Sequence, residues 1–190
     1  KQKVKADSKH VLLEKYKNFY HQKMYTEIVQ MSQEKIEEVQ NNAEILDILG
    51  ASFMSLGQYN DASVSFKNIT NIKPTEESGF NNLGVSYKLQ NKMQEAITAF
   101  QKALEINPNF AEAYYNLATV YQAKEEIPIA IRFFRNAILV RDNYFSAYNG
   151  LAMSLNAEGN RNDAIDVYKT FISKNADIAE AHNNLGVLLQ

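Results

Sequence analysis

The side chains that could do chemistry are few, and their spacing does not favour it. His10, His21 and His182 are the only imidazoles. None has a second donor at the i,i+4 separation that puts two ligands on one helix face, so a packed or solvated histidine is expected rather than a metal centre. The absence of Cys removes disulfides, thiolate metal sites, haem attachment and a cysteine nucleophile together. Glu37-Glu38 and Glu125-Glu126 are sequence neighbours that point apart around a helix, which disfavours a paired acid and base. No phosphate-cradling loop, Gly-rich dinucleotide turn, nucleophile elbow or zinc-protease motif is present. Asn68-Ile69-Thr70 spells a glycosylation sequon but falls inside an expected helix. What does recur is polar and unreactive: Asn82, Asn116 and Asn184 lie at multiples of 34, interrupted by Gly150. An asparagine amide offers a donor and an acceptor, matching the backbone of an extended peptide of any sequence. Ordinary helix solvation explains the same series. Recognition is therefore the expected task, with no catalysis and no cofactor.

Composition sets the frame for that reading. The 190 residues carry 20 Lys+Arg against 22 Asp+Glu, a formal charge of −2, which argues against a nucleic-acid arm or a polyacidic tail. Hydrophobic residues make up 45%, with 10 Phe and 11 Tyr, enough for a folded core. Seven Gly and three Pro are too few for a turn-rich β fold. Mean hydropathy is −0.39, and no stretch approaches the roughly 20 apolar residues of a membrane span. Lys1-Gln2-Lys3-Val4-Lys5 does not lead into the apolar run of a signal peptide, so a cytoplasmic chain without membrane or nucleic-acid partners is expected.

Slid against itself by 34, the sequence falls into register. Leu49, Leu83, Leu117, Leu151 and Leu185 share that step, each followed by Gly50, Gly84, Ala118, Ala152 or Gly186. Ala62, Ala96, Ala130 and Ala164 keep it, as do Phe66, Phe100, Phe134 and Tyr168, and Pro74 and Pro108. In each copy the apolar places recur at steps of three and four, one stripe per helix. First helices (A) are expected over 43–56, 77–90, 111–124 and 145–158, and second helices (B) over 59–72, 93–106, 127–140 and 161–174. They should break at Gly57-Gln58, Asn91-Lys92, Glu125-Glu126 and Gly159-Asn160, where Gly and Asn tolerate a left-handed backbone. Gly50, Gly84 and Gly186 are expected to admit a neighbouring helix, with Ala62 and Ala96 as the small opposing surface.

This unit resembles the tetratricopeptide repeat, a helix-turn-helix with a large residue at place 4, Leu at 7, Gly/Ala at 8, aromatics at 11 and 24, Ala at 20 and 27, and Pro at 32. Copies start at Ala43, Glu77, Ala111 and Phe145, and with Leu or an aromatic allowed at places 4 and 11 their marker places depart only at Ile69, Phe171, Asp142 and Ala176. The resemblance implies an all-α, right-handed superhelical solenoid of stacked antiparallel hairpins. Full repeats would span 43–76, 77–110, 111–144 and 145–178, after a basic tail over 1–8 and a degenerate first repeat over 9–42. In that repeat Ser32 and Lys35 replace the second helix's aromatic and Ala. Residues 179–190 would form the first helix of a further repeat, lacking its partner helix. From this the parent protein is expected to continue past Gln190, or the bare helix to self-associate. Phe171 puts a ring where a methyl fits, so a spread or rearranged last interface is expected.

In the resembled family, places 2, 5, 6, 9, 12 and 13 of the A-helices line a concave groove. Carried over, the groove residues are Asp47, then Asn81, Asn82, Val85 and Lys88, then Tyr115, Asn116, Thr119 and Gln122. The last two copies contribute Asn149, Met153 and Asn156, then Asn183 and Asn184. The asparagine series is similar to the ladder in the repeat arm of O-linked N-acetylglucosamine transferases. Glu44, Asp47, Glu112 and Glu180 face only Lys88, so acidic tails should be repelled and neutral or mildly basic peptides preferred. The implied function is a non-catalytic interaction scaffold. The alternative is a recruiting arm of a larger glycosyl- or sulfo-transferase whose catalytic domain lies beyond Gln190.

Overall fold

The computed structural model describes the backbone from Gln2 to Gln190 and the side chains from His10 onward. Among the described residues every regular element is an α-helix. In chain order these are α1 (Gln2–His21), α2 (Tyr25–Glu34), α3 (Ile36–Gln40), α4 (Ala43–Ser55), α5 (Tyr59–Ile72) and α6 (Glu77–Leu89). Then come α7 (Met93–Ile106), α8 (Ala111–Ala123), α9 (Ile127–Val140), α10 (Phe145–Ala157), α11 (Arg161–Lys174) and α12 (Ala179–Leu189). The helices fall on the 34-residue step to within a residue. Residues 2–8, expected as a tail, belong instead to α1.

The turn inside each hairpin is one structure made five times. Lys23, Gly57, Asn91, Glu125 and Gly159, each 34 from the last, have φ between 58° and 82°. At each, two backbone bonds close a Schellman motif. Gly57 N–H donates to Met54 O at 3.1 Å and Gln58 N–H to Phe53 O at 2.8 Å. Around Glu125 the same pair runs to Gln122 O at 3.0 Å and Tyr121 O at 2.9 Å. The left-handed backbone is thus required by the repeat even where the residue is Lys or Glu. At the other kind of junction, Asn42 caps α4 by accepting from Glu44 N–H at 3.0 Å and Ile45 N–H at 3.2 Å.

The chain divides into two compact units, one ending at Ala99 and the other starting at Phe100. In the first, α1 and α2 pack on α4, α4 on α5, and α5 on α6. Tyr16, Ile28, Ile45, Leu46, Leu49, Phe66 and Ile69 form the buried centre. In the second, α8 packs on α9, α9 on α10, α10 on α11 and α11 on α12, around Phe134, Leu151, Leu155 and Tyr168.

Glycine's part in this packing differs from the expected helix-to-helix approach. A Cβ on Gly50 would stand 2.7 Å from the Phe66 ring, so what fills the gap is an aromatic ring rather than Ala62. The third copy has Ala118 at the equivalent place. Its ring, Phe134, lies instead against Gly150 of the next A-helix, so closely that a Cβ there could not be accommodated. Gly186 meets nothing within 4 Å. The degenerate first repeat reverses the sizes. Tyr16 stands at the Gly/Ala place and is fully buried, while Ser32 stands at the aromatic place and turns its hydroxyl onto Val29 O at 2.7 Å. Lys35, where Ala is usual, ends α2, and the second helix resumes as α3. Phe171 is buried rather than expelled, its ring 5.1 Å from Phe145 and 4.9 Å from Tyr148.

Backbone conformation and burial yield one stability prediction each. Gly159 has φ 82° and open space where a Cβ would go. Gly159→Ala should therefore cost about 1–2 kcal/mol from backbone strain alone, and Glu125→Gly should regain a similar amount, both read from urea unfolding. The Tyr16 hydroxyl is buried with no protein partner, and burial, then the charges of Glu38 and Glu34, push it up to about 12. A folded pKa raised above the ordinary ~10 means the native state holds this proton more tightly than the unfolded state. Its contribution is complete below pH ~10 and is lost as pH rises towards 12. Tyr16→Phe should leave stability at pH 7 undiminished and flatten the alkaline decline; an unchanged decline would contradict this.

Candidate functional site

Each unit holds one cleft built from A-helix residues. In the first, a cleft of about 420 Å³ lies between α1, α4 and α6, with Ile69 and Lys73 from the end of α5. Glu44, Asp47 and Ile48 of α4 face Ser78 and Asn82 of α6 across it, and Lys17, Tyr20 and His21 close it from α1. Asn82 Nδ2 donates to Asp47 Oδ1 at 3.2 Å, tying α6 to α4. Lys17 Nζ lies 3.0 Å from Glu14 and 3.9 Å from Glu44. Lys73 pairs with Glu76 at 2.8 Å, and Ser78 Oγ donates to Glu76 at 3.3 Å. Loss of hydration inside the cleft pushes the Asp47 carboxyl above its usual range, against the pull of the Asn82 hydrogen bond.

The second cleft, about 410 Å³, is lined by Asn149, Ala152, Met153 and Asn156 of α10, Tyr168 of α11, and Glu180, Asn184, Val187 and Leu188 of α12. Asn149 is its hub. Its Oδ1 accepts from Tyr168 Oη at 2.6 Å and from Asn184 Nδ2 at 2.9 Å, and its Nδ2 donates to Met153 Sδ at 3.7 Å. Burial raises the Tyr168 phenol above its usual range. Asn82 to Asp47 and Asn184 to Asn149 are the same bond made twice, from place 6 of one A-helix to place 5 of the preceding one, 35 residues apart.

The remaining sequence-predicted residues divide by exposure. Asn156 and Asn183 are exposed, and Met153 is 57% exposed. Asn81 and Asn116 are closed off, at 8% and 9% exposure. Tyr115 packs against Phe134 and Tyr144, with ring centroids 5.9 and 5.3 Å away. Thr119 Oγ1 donates to Asn116 O at 2.8 Å, and Gln122 Nε2 to Ser154 Oγ at 3.3 Å. Val85 and Lys88 are half-buried, and burial lowers the Lys88 ammonium pKa.

Two features escaped a reading confined to helix A. Lys73 and Arg141 share place 31, after helix B, and each meets a carboxylate: Lys73 pairs with Glu76 and Arg141 with Glu112 at 2.5 Å. Arg141 also stacks 4.9 Å from the Tyr144 ring. Glu44 and Glu112 thus have cations beside them, and the cleft walls are less acidic than a count of A-helix charges suggests. Ser52, Ser86 and Ser154, at place 10, are fully buried and turn their hydroxyls onto their own helices. Both sets sit on the 34-residue step, which is the signal that could have found them.

A second kind of cleft lies along the B-helices. Ile36, Leu46, Leu49, Phe53 and Asp61 line one of about 240 Å³, and Ile138, Tyr148, Leu151, Leu155 and Asp163, each 102 residues further on, line one of about 470 Å³. Apolar side chains alternate there with polar ones, among them Gln33, Ser65 and Asn68 in the first and Arg135, Asp166 and Thr170 in the second. Among the described residues no group of His, Cys, Asp or Glu is arranged to hold a metal ion, and no helix is long and apolar enough to cross a membrane.

Known proteins share both the repeat and the way it is stacked. Residues 86–125 match a TPR repeat model and 111–144 a tetratricopeptide repeat model. No curated protein matches the chain. Among solved structures, a crystal structure of MamA is 28% identical with a TM-score of 0.66, over 82% of this chain and 87% of that one. A second structure, of MamA protein, is 24% identical with a TM-score of 0.77, over 92% and 96%. A thermophilic TPR protein of Thermus thermophilus is 17% identical with a TM-score of 0.72, over 95% and 98%. The last two likenesses speak to the fold alone.

The hub generates a stability prediction. Asn149→Ala would remove the one oxygen that accepts from both Tyr168 Oη and Asn184 Nδ2 and should cost about 1–3 kcal/mol. Adding Tyr168→Phe should recover part of it in denaturant unfolding, whereas strict additivity would contradict the shared bond.

Proposed function

We propose that this chain, whose residues 86–144 match tetratricopeptide repeat models, is a scaffold for protein–protein interaction whose A-helix clefts hold an extended segment of a partner. One observation carries the reading. Each unit by itself presents an open cleft, of about 420 and 410 Å³, lined by side chains from places 2, 5, 6, 9 and 12 of consecutive A-helices. A flat or filled surface at those places would offer nothing to a ligand. Here apolar floor and amide rim alternate: Met153, Val187 and Leu188 beside Asn149, Asn156 and Asn184 in one cleft, Ile48 and Ile69 beside Asn82 in the other. Apolar contact supplies affinity, and fixed amides orient a backbone.

Inter-helix hydrogen bonds support the same reading. Asn82 and Asn184 each use an N–H to hold the neighbouring A-helix, which prevents the amide from swinging away. A surface pre-organised in this way loses less entropy on binding. The partner segment is neutral to mildly basic, since Asp47 and Glu180 remain on the cleft walls while Lys17, Lys73 and Arg141 are matched by carboxylates.

A peptide library displayed on phage and selected on the full chain tests this. Selected peptides are measured by fluorescence anisotropy against two variants. Asn82→Ala with Met153→Glu alters both clefts, and Leu139→Glu alters a side chain 85% exposed on α9, outside them. The cleft variant should weaken binding about tenfold or more, roughly 1.4 kcal/mol, with Leu139→Glu unchanged. The reverse pattern would refute the assignment.

A further inference from the structure

Resting on the peptide-binding reading above, we infer that Asp47, set beside Asn82 and Tyr20 in the first cleft, anchors an arginine side chain of the bound segment. Asp47 is the cleft carboxylate without a close ion pair, although the charge of Lys73 still acts on it from a distance. Lys73 is taken by Glu76 at 2.8 Å, and Lys17 lies between Glu14 and Glu44. Among the described residues no Lys, Arg or His nitrogen lies within 4.0 Å of Asp47, and its hydrogen bond comes from a neutral amide, Asn82 Nδ2, to Oδ1 alone. The second carboxylate oxygen is therefore available on the cleft side. Asp47 is exposed in the cleft, so an entering cation reaches its carboxylate without displacing a protein cation.

The neighbouring groups favour guanidinium over ammonium. Asn82 uses its N–H towards Asp47, leaving its carbonyl as a second acceptor beside the first. Tyr20 lines the same cleft, near enough for the Asp47 charge to raise its phenol pKa further after burial and Tyr25. A planar guanidinium has five donors in a fixed fork and stacks on an aromatic face, so it can use the carboxylate, the amide carbonyl and the ring together. An ammonium is a point charge and uses chiefly the carboxylate. An anionic side chain finds both ammonium groups of the cleft already paired. Among the described residues the acidic side chains of the cleft are not grouped to hold a metal ion.

The test uses the full chain and three labelled peptides, acetyl-Gly-Ser-X-Ser-Gly-amide with X as arginine, citrulline or lysine. Citrulline keeps arginine's shape and removes its charge. Binding is measured by anisotropy and located by amide shifts in NMR, for the unsubstituted chain and for Asp47→Asn, which keeps an acceptor for Asn82. The expected result is about tenfold tighter binding of the arginine peptide than of either other peptide, with the preference gone in Asp47→Asn and the citrulline affinity unchanged. Equal binding of arginine and citrulline peptides, or a preference that survives Asp47→Asn, overturns the anchor and leaves the cleft reading standing. Equal binding of lysine and arginine overturns the guanidinium assignment. Absence of binding by all three at millimolar concentration overturns the anchor and the cleft reading together.

Discussion

An aromatic ring set into the space of a missing Cβ is the contact on which the hairpins depend. One helix hairpin cannot bury two apolar stripes by itself, and the remainder must be covered by a neighbour. Phe66 over Gly50 and Phe134 over Gly150 close that surface, both rings buried at 3% and 0% exposure. A glycine inside a helix costs roughly 0.5–1 kcal/mol relative to Ala, whereas burying a phenylalanine is worth about 1.5–3 kcal/mol. The exchange favours the ring wherever the backbone leaves room. It also tolerates a change of address, since the ring turns to its own hairpin when place 8 is Gly and to the following one when place 6 is Gly. In the first repeat the sizes at these two places are exchanged, with Tyr16 buried at place 8 and Ser32 at place 24.

That contact sets the A-helices side by side, and a second, polar layer fixes how they present themselves. Bonds from place 6 to place 5 of the preceding helix hold Asn82 to Asp47 and Asn184 to Asn149. The amides are thus committed on one edge and open on the other, which separates a binding wall from a row of mobile surface side chains. The charged rim follows from chain geometry as well. After α5 and α9, place 31 holds Lys73 and Arg141, which pair with Glu76 at the edge of the first cleft and with Glu112 at the start of α8.

Much of this was legible in the sequence, because a stacked repeat writes each constraint several times. The helices and the turn inside each hairpin could be placed by period alone. Lys23 and Glu125 adopt the left-handed turn that Gly and Asn suggested at the other copies, a case of the repeat overriding the residue. Less was legible where a position acts through a partner that is not itself repeated. Gly150 looked like a gap in an asparagine series, yet it seats Phe134. Asn149, outside that series, turned out to be the hydrogen-bond hub of the second cleft. Phe171 looked like a misfit, but Phe145 and Tyr148 give its ring an aromatic surround that pattern matching could not supply.

The most direct measurement is a double-mutant cycle on Gly50 and Phe66, read as unfolding free energy in denaturant. Helix propensity alone would make Gly50→Ala stabilising by roughly 0.5–1 kcal/mol. If the ring occupies the glycine's space, Gly50→Ala destabilises instead, by about 1–3 kcal/mol. The same substitution in a Phe66→Leu background then costs much less, a coupling of about 1 kcal/mol or more. A stabilising Gly50→Ala, or two substitutions that simply add, would contradict the account.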